Sequence, residues 1–364
     1  MSHDAGMVPW LDALAHALEH AGRAVLVVVA GVQGSVPRES GAAMVVTHDG
    51  LSGTIGGGHL EFEATRMARE ALRDPQPATW LVRFPLAARV GQCCGGVATL
   101  VFAAIDATAR PWLDAAYACL RSGAPFALVG ALGGSAVNTA RLVVTADDTR
   151  GSLGGRDLDS AAIAFARARL ASAMTGATLM PVPGSTDHLV VHVTRPDPFP
   201  VLVFGNGHVG RALVRVLSVL PMQVRWVDER EDDFPREALA NVEVVVTDVP
   251  EAEIRVAPPR AAVVVTTHSH ALDFALVEAA LDRDDWRYVG MIGSRAKRAQ
   301  LERRLAARGV APERLRRVTC PIGAGLPGLD GKAPGVIAVA VAAELLALRE
   351  VSTAARLPLA QPAR

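Results

Sequence analysis

The stretch from Val201 to Gly210 constrains the fold of this chain more than any other. It consists of a short apolar strand, a G-x-G-x-x-G turn and the start of an apolar helix. In this pattern the first glycine makes a tight turn, the second admits a phosphate, and the third lets helix and strand pack closely. The positions concerned are Gly205, Gly207 and Gly210, with His208 at the helix start. The pattern predicts a Rossmann-type unit that binds a nucleotide or a phosphate, and an empty or altered pocket is the alternative.

Asp228 ends the next predicted strand, 23 residues after Gly205. Dinucleotide-binding folds place a ribose-binding carboxylate at about this distance. After residue 200 the predicted elements alternate regularly, which indicates a doubly wound parallel sheet. The strands are predicted near 200–204, 222–227, 242–247, 261–266 and 286–291, and the helices near 208–219, 270–284 and 294–308. The apolar run 336–348 predicts a C-terminal helix that packs in the core or at a subunit contact.

The first half of the chain partly repeats itself. Residues 53–61 are echoed without gaps 98 residues later by residues 151–159, and residues 44–47 are echoed by 142–145 at the same spacing. A shared spacing across two motifs indicates an internal duplication. We therefore predict an N-terminal α/β domain, 1–196, built from two similar strand–strand–glycine loop–helix units. A proline-rich linker separates it from a Rossmann-like domain, 197–364, that ends in the C-terminal helix.

Two adjacent cysteines, Cys93 and Cys94, lie in the glycine-flanked loop 91–96 of a chain with only four cysteines. Neighbouring residues rarely meet the geometry of a disulfide, so a structural bridge is not expected. An accessible thiol that binds a soft metal or a sulfur-bearing cofactor is the favoured interpretation. A tight turn with two small buried residues is the alternative. Cys119 is predicted to be a core residue, and Cys320 is either a second functional thiol or a small buried residue.

A glycine triplet precedes the first long helix of the repeat. Successive amides in such a turn can form an anion-binding nest. The residues are Gly56, Gly57, Gly58 and His59, with Glu61 following them. The alternative is a plain strand-to-helix turn.

His268 and His270 follow the fourth strand of the predicted parallel sheet, at the edge where ligands bind in such folds. They are candidates for metal binding or proton transfer, together with Asp273. Helix capping by Ser269 or His270, with Asp273 in the first turn, is an equally weighted alternative.

A cluster of cations follows the fifth strand. Ser294 is a good N-cap, and Arg295, Lys297 and Arg298 lie at the start of the next helix. Cations are unfavourable at this helix end unless an anion joins them, which favours a phosphate site over three solvated side chains.

Composition excludes some classes of function. Lys plus Arg and Asp plus Glu both number 37, so no net field attracts nucleic acid or an anionic membrane. The sparse cysteines indicate a reducing compartment. The N-terminus lacks a signal-peptide pattern, and the apolar run 25–30 is far too short to span a bilayer, so a cytoplasmic protein is expected.

At this point several motifs together resemble the XdhC and CoxI family, the xanthine dehydrogenase accessory protein type, over nearly the whole chain. The motifs are residues 34–38, 54–61, 91–96, 204–210, 267–270, 293–295 and 320–323. The resemblance implies a chaperone that binds molybdenum cofactor (molybdopterin), protects it and supports its sulfuration. It would then deliver the cofactor to apo-xanthine dehydrogenase or a related molybdenum hydroxylase.

The resemblance also implies partners and a metal ligand. The partners would be the molybdenum subunit of the dehydrogenase and a cysteine desulfurase, and the sequence leaves a homodimer open. The family has one cysteine directly before the paired glycines, which corresponds to Cys94 as a ligand of the cofactor's molybdenum. Such an accessory factor would have no turnover of its own. The alternative is an NAD(P)-dependent oxidoreductase, with NAD(P) in the Rossmann domain and His268 or His270 as the proton donor.

We expect Cys94→Ser to weaken cofactor retention sharply, because a hydroxyl is a poor substitute for a thiolate on molybdenum. Cys119→Ser is the control and should retain the cofactor. The molybdenum content of the purified variants measures the effect, and equal retention in both would remove Cys94 from the site.

Overall fold

The computed structural model describes residues 8–354, except 75–78, 87–94, 133–139, 173, 183–187, 197–198, 232–233, 236–238, 240 and 326–330. Cys93 and Cys94 therefore lie outside the described residues. The chain divides into two compact units, Met1–Asp197 and Pro198–Arg364.

The first half of the first unit is an antiparallel five-stranded sheet with two helices. Its strand order is β3-β2-β1-β5-β4. The elements are α1 (Pro9–Ala21), β1 (Arg23–Gln33), β2 (Ala43–Val46), β3 (Leu51–Gly53), α2 (Gly58–Arg73), β4 (Thr79–Pro85) and β5 (Val97–Asp106). The apolar run in β1 is buried on both faces, which explains why it lacks the alternation of a half-exposed strand.

The second half repeats this arrangement. Its strand order is β8-β7-β6-β10-β9, which matches the order of the first sheet element by element. The elements are α3 (Arg110–Ser122), β6 (Phe126–Leu132), β7 (Arg141–Val144), β8 (Thr149–Gly151), α4 (Arg156–Ala171), β9 (Gly176–Pro181) and β10 (His188–Thr194). The predicted duplication is confirmed, and each copy also includes a preceding helix and three further strands.

Each of these sheets packs its two faces differently. One face of the first sheet packs on α2, and one face of the second sheet packs on α4. The opposite faces share a core with α1 and α3, which includes Leu26, Leu128 and Cys119. The prediction that Cys119 is a core residue is confirmed.

The second unit is a doubly wound parallel sheet, as predicted. Its strand order is β13-β12-β11-β14-β15-β16, and every neighbouring pair is parallel. The strands are β11 (Pro200–Phe204), β12 (Gln223–Asp228), β13 (Val242–Val246), β14 (Ala262–Val265), β15 (Tyr288–Met291) and β16 (Val318–Thr319). The strand order reverses between β11 and β14, and such a switch point is where open α/β sheets bind ligands.

Helices cover both faces of the parallel sheet. They are α5 (His208–Leu217), α6 (Pro250–Val256), α7 (His270–Leu281), α8 (Arg295–Ala306), α9 (Pro312–Arg316) and α10 (Pro334–Ala354). Helices α5 and α10 share one core with the sheet, while residues of α6 to α9 form the core on the other face. The apolar C-terminal run thus packs against α5. Within the described ranges, no helix has the length and apolar character needed to cross a bilayer.

A buried histidine lies in the shared core of the first unit. His192 on β10 is 8% exposed, and its ring stacks on Trp10 of α1 with the centroids 5.3 Å apart. Burial lowers the pKa of His192 to about 4, because the charged form loses its hydration. The unfolded chain, with a histidine pKa of about 6.5, therefore binds an extra proton at mildly acidic pH.

We expect the first unit to lose stability as the pH falls from about 6.5 to about 4, by roughly 3 kcal/mol from His192 alone. Above pH 6.5 this contribution is constant. His192→Phe keeps the aromatic stack but cannot take up the proton, so its unfolding midpoint should depend less on pH. Urea unfolding at pH 7 and pH 5 measures the difference, and identical pH dependence in both proteins would contradict the expectation.

Candidate functional site

A carboxylate of the chain itself accepts hydrogen bonds from the turn that contains the glycine triplet of the first unit. One oxygen of Glu61 accepts a hydrogen bond from the Thr54 hydroxyl at 2.5 Å. The same oxygen accepts from the amides of Ile55 at 3.0 Å and Gly57 at 3.1 Å. One amide of the predicted anion nest, that of Gly57, therefore already binds an internal anion, together with the amide of Ile55 before the triplet.

The environment of Glu61 stabilises its ionised form. Partial burial acts to raise its pKa, but the hydrogen bonds from Thr54 and from the turn amides outweigh that effect. The pKa of Glu61 consequently lies below its ordinary value. The carboxylate is charged at neutral pH and holds the turn that starts α2.

In the second copy, a carboxylate accepts hydrogen bonds from the equivalent turn. Asp159 accepts hydrogen bonds from the Ser152 hydroxyl at 2.7 Å and from the Leu153 amide at 2.6 Å. In this motif the copies differ in chemical character only at the two positions directly after the shared glycine pair. Gly58 and His59 correspond to Arg156 and Asp157 at the spacing of 98 residues. These shared hydrogen bonds are structural, so the residues unique to the first copy are the better functional candidates.

Three motifs of the first unit lie against one another. A Cβ on Gly56 would overlap the ring of Pro37, and a Cβ on Gly34 would lie 3.2 Å from the Cα of Gly96. The Gly96 amide donates to the Ser35 carbonyl at 3.0 Å. The chain directly after the cysteine loop is thus fastened beside the glycine triplet. His59 is exposed there, with its ring 6.3 Å from that of Phe62.

The glycine turn of the second unit has the geometry expected from its sequence. Gly205 has φ 109°, and a Cβ on it would lie 2.5 Å from the Thr266 carbonyl oxygen. A Cβ on Gly210 would overlap the Gly205 carbonyl oxygen, so only glycine allows α5 to pack this closely on β11. A Cβ on Gly207 would meet no atom within 4 Å. Open space therefore lies next to Gly207, at the N-terminus of α5, which no side chain caps.

Asn206 carries a buried donor without an acceptor. The residue is 1% exposed, and its side-chain oxygen accepts a hydrogen bond from Arg211 at 3.0 Å. Its Nδ2 has no hydrogen-bond partner among the described residues. An unpaired buried amide is costly, which points to an acceptor supplied by a ligand. Sequence reasoning missed this residue because the middle position of the G-x-G pattern has no required identity.

The carboxylate of Asp228 accepts four hydrogen bonds from other residues of the chain. Its oxygens accept from the Asn206 amide at 2.6 Å and from the Arg230 amide at 3.0 Å. The Arg230 guanidinium adds bonds to both oxygens, at 2.8 and 3.0 Å. Burial acts to raise the pKa of Asp228, but these donors hold it below the ordinary value. A carboxylate has about four acceptor positions, so a ribose diol finds none here while Arg230 stays in place.

A cavity of about 90 Å³ lies at the switch point, next to the glycine turn. Phe204, Gly205, Asp228 and His268 are among its lining residues. Its wall is apolar on the side of the sheet and α7, and four carboxylates surround it. The carboxylates are Asp228, Glu229, Asp248 and Glu251. The two on the β13–α6 side were missed, because a helix as short as α6 leaves no clear periodicity.

The two histidines after β14 do not form a metal centre in the structure. His268 and His270 are both exposed, and no group of three or more ligating side chains that could hold a metal occurs in the described part of the chain. Ser269 is the N-cap of α7, accepting from the Leu272 amide. The capping alternative is thus realised by Ser269, while His268 lines the cavity and His270 does not.

Two of the three cations at the start of α8 have intramolecular partners. Lys297 is 8% exposed and forms an ion pair with Asp273, which is fully buried. Arg298 pairs with Glu302 at 2.6 Å. Ser294 caps α8 by accepting from the Lys297 amide at 3.3 Å. Arg295 is exposed, with no hydrogen bond or ion pair to any described residue, so it is the cation of this cluster that can meet an anion.

Cys320 is half-buried beside Gly293 and the stem of Lys297. A Cβ on Gly293 would lie 3.1 Å from the Cys320 sulfur and 2.9 Å from Lys297 Cδ. Burial raises the pKa of the Cys320 thiol, although Arg298 and Lys297 act in the opposite direction. The thiol is therefore protonated at neutral pH, which favours the packing role over that of a ready thiolate.

Two family models match the chain. The model of the XdhC Rossmann domain matches residues 201–345, and the model of the XdhC and CoxI family matches residues 17–85. Together these matches cover more than half of the chain. They include the glycine turns of both units.

Solved structures show a similar fold. A xanthine dehydrogenase from Bacillus halodurans superposes with a TM-score of 0.70 at 19% sequence identity, covering 94% of this chain and 96% of that one. The chuY protein from E. coli strain CFT073 gives a TM-score of only 0.21 at 19% identity, over 32% of this chain and 62% of that one. The first similarity shows the shared fold, and the second is too weak to support one. No curated protein matches the chain significantly.

We expect Gly210→Ala to destabilise the second unit by about 1–3 kcal/mol, because the added methyl group overlaps the Gly205 carbonyl oxygen. Gly207→Ala is the matched control. Its φ of −80° suits alanine and its Cβ meets open space, so its stability should stay within about 1 kcal/mol of the wild type. Urea unfolding followed by circular dichroism measures both, and equal midpoints for the two variants would contradict the close packing at Gly210.

Proposed function

Because the chain belongs to the XdhC and CoxI family, we propose that it is a maturation factor for a xanthine dehydrogenase-type molybdenum enzyme. Its cargo is molybdenum cofactor, which it binds, protects, holds for sulfuration and delivers to the apo-enzyme. The partners are the molybdenum subunit of that enzyme and a cysteine desulfurase. The observation that carries the proposal is the uncapped glycine turn with its unpaired Asn206 amide, in a chain of this family.

The second unit contributes donors for the phosphate of the cargo. Gly207 leaves space at the N-terminus of α5, where backbone amides and the helix dipole favour an anion. The buried Nδ2 of Asn206 needs an acceptor, and a phosphate oxygen supplies one. Arg295 adds an exposed cation at the start of α8. These residues fit a phosphate-bearing ligand.

The first unit contributes a donor of another kind. The cysteines Cys93 and Cys94 lie outside the described residues, and the described chain after them is held by the hydrogen bond from the Gly96 amide to the Ser35 carbonyl. A thiolate is a soft ligand of the type that binds molybdenum. The cargo supplies the redox-active metal, and the role of this chain is to bind it and exclude water from it.

An NAD(P)-dependent oxidoreductase is less well supported. The carboxylate that would bind the adenosine ribose, Asp228, is engaged by Arg230 and by the Asn206 amide. The remaining carboxylates of the cavity oppose a phosphorylated ribose. His268 is exposed at the cavity, but no described contact holds it against a hydride acceptor.

We expect the full chain, purified from cells that make molybdenum cofactor, to retain about one cofactor per chain. Arg295→Ala should weaken cofactor binding about ten- to hundredfold, since a charge-assisted hydrogen bond contributes about 1.5–3 kcal/mol. Arg303→Ala, at the other end of α8, is the control and should bind normally. Molybdenum analysis and pterin fluorescence measure retention.

Two outcomes would contradict these expectations. Tight NAD(P)H binding with hydride transfer, and no pterin in the purified protein, would replace the maturation factor by an oxidoreductase. Equal retention in the Arg295 and Arg303 variants would remove Arg295 from the site.

A further inference from the structure

We propose that the first unit holds a separate binding site, between α1 and α3, for a small neutral hydroxyaromatic molecule of the phenol or naphthol class. A cavity of about 270 Å³ lies between these two helices. The described residues that line this α1–α3 cavity include none of those that bind the cargo in the proposed function. The class of ligand follows from a comparison of the two copies of the duplicated fold.

The two helices beside the cavity are equivalent elements of the duplication. Residues 9–13 read Pro-Trp-Leu-Asp-Ala, and residues 111–115 read the same. Each helix has a proline in its first turn and ends at a glycine in the left-handed region, and each precedes the first strand of its copy. Counted from the shared proline, Ala15 of α1 corresponds to Tyr117 of α3.

One tyrosine–aspartate pair joins the two helices. The Tyr117 hydroxyl on α3 donates a hydrogen bond to Asp12 of α1 at 3.0 Å. Tyr117 is 5% exposed, and it packs in the core that the two sheets share. Burial and the nearby Asp12 carboxylate raise the pKa of the Tyr117 hydroxyl, which is therefore protonated and acts as the donor.

The equivalent pair lacks its tyrosine. Asp114 on α3 corresponds to Asp12, but Ala15 on α1 stands where the second tyrosine would be. Both Asp114 and Ala15 line the α1–α3 cavity. The cavity thus lies where the ring and hydroxyl of a second tyrosine–aspartate pair belong. The chain supplies the carboxylate and the space, and a phenolic ligand supplies the ring and the donor.

The walls of the cavity suit an aromatic ring. Leu18, Leu113 and the ring of Tyr117 give it apolar surface. An engineered apolar cavity of about 150 Å³ binds benzene, so a volume of about 270 Å³ leaves room for two fused rings. Arg110 also lines the cavity, and a guanidinium stacks favourably on the face of an aromatic ring.

The charges at the cavity favour a neutral donor. Asp114 accepts from Arg110 Nε at 3.0 Å, and Arg110 lies 3.8 Å from the Glu19 carboxylate. A carboxylate has about four acceptor positions, so Asp114 keeps some for a ligand beside this single N–H donor. An ionised carboxylate only accepts hydrogen bonds, and it repels an anionic ligand. A phenolic hydroxyl on a flat ring satisfies both conditions.

The test titrates the full-length protein at neutral pH with 2-naphthol and follows naphthol fluorescence and the heat of binding. We expect saturable binding at a single site. The methyl ether, 2-methoxynaphthalene, has the same rings but no donor, so it should bind at least about fivefold more weakly. Equal affinity for the two compounds, or the absence of saturable naphthol binding, would overturn the proposal.

Ala15→Tyr rebuilds the second tyrosine–aspartate pair within the chain. It should abolish naphthol binding, because the new ring occupies the cavity. It should also raise the thermal unfolding midpoint by about 2–4 °C, since a ring and its hydrogen bond are added. His16→Tyr is the matched control, because His16 is the next residue of α1 and is exposed outside the cavity. This control should bind naphthol like the wild type, and unchanged naphthol affinity in Ala15→Tyr would reject the site.

Asp114→Ala gives a readout that does not depend on whether the added tyrosine fits. It should weaken 2-naphthol binding at least about fivefold but change 2-methoxynaphthalene binding by less than about twofold. Asp147→Ala is the control, since Asp147 is an exposed aspartate of the same unit that does not line the cavity. This control should keep the preference for naphthol over its ether. An equal loss of affinity for both compounds in Asp114→Ala would show that the carboxylate only maintains the structure, and would contradict its role as the acceptor.

Discussion

Both candidate sites depend on backbone segments that approach each other too closely for any side chain to lie between them. In the second unit the Gly205 carbonyl lies against Gly210, which brings α5 onto the end of β11. In the first unit Gly96 lies against Ser35 and is held there by a hydrogen bond of 3.0 Å. Such contacts exclude water and leave little freedom to the turns. The donors and acceptors beside these turns are therefore presented in place before any ligand arrives, which lowers the entropic cost of binding.

The acidic side chains beside the two glycine turns fall into two groups. Some accept hydrogen bonds from the chain itself, and others keep their acceptor positions free. Glu61 follows the glycine triplet, and Asp228 ends β12 beside the Gly205 turn, at positions where an anion or nucleotide site is expected. Both nevertheless accept several hydrogen bonds from the chain itself. Their donors keep the pKa of each carboxylate low, so both are charged and satisfied. Asp248 and Glu251 have no such donors among the described residues. The carboxylates with free acceptor positions thus lie one strand away from the acid that the sequence pattern indicates.

The internal duplication offers a comparison within one molecule. Glu61 and Asp159 close equivalent turns, so selection for the fold alone explains this acidic position. His59 has no histidine counterpart, because Asp157 occupies its place in the second copy. The second copy keeps the scaffold and lacks the residues that we connect with cargo binding. A duplicated scaffold is consistent with the large core that both sheets share, because each copy buries one sheet face against the other.

Local patterns in the sequence determined the elements and the glycine turns. Apolar runs and their spacing predicted five of the six described strands of the parallel sheet and the helices α5, α7, α8 and α10, but not β16, α6 or α9. The roles of Gly205 and Gly210 follow from covalent geometry at a strand-to-helix turn. The tertiary structure alone decided which charges remain available. Lys297 forms an ion pair with Asp273, 24 residues earlier, and Asp228 forms one with Arg230, so neither charge is available to a ligand. Periodicity reports which face of an element is buried, but it carries no information on the few ångströms between side chains of different elements. Hydrogen bonds and ion pairs depend on those distances, so the chemistry of the cavity was set by packing.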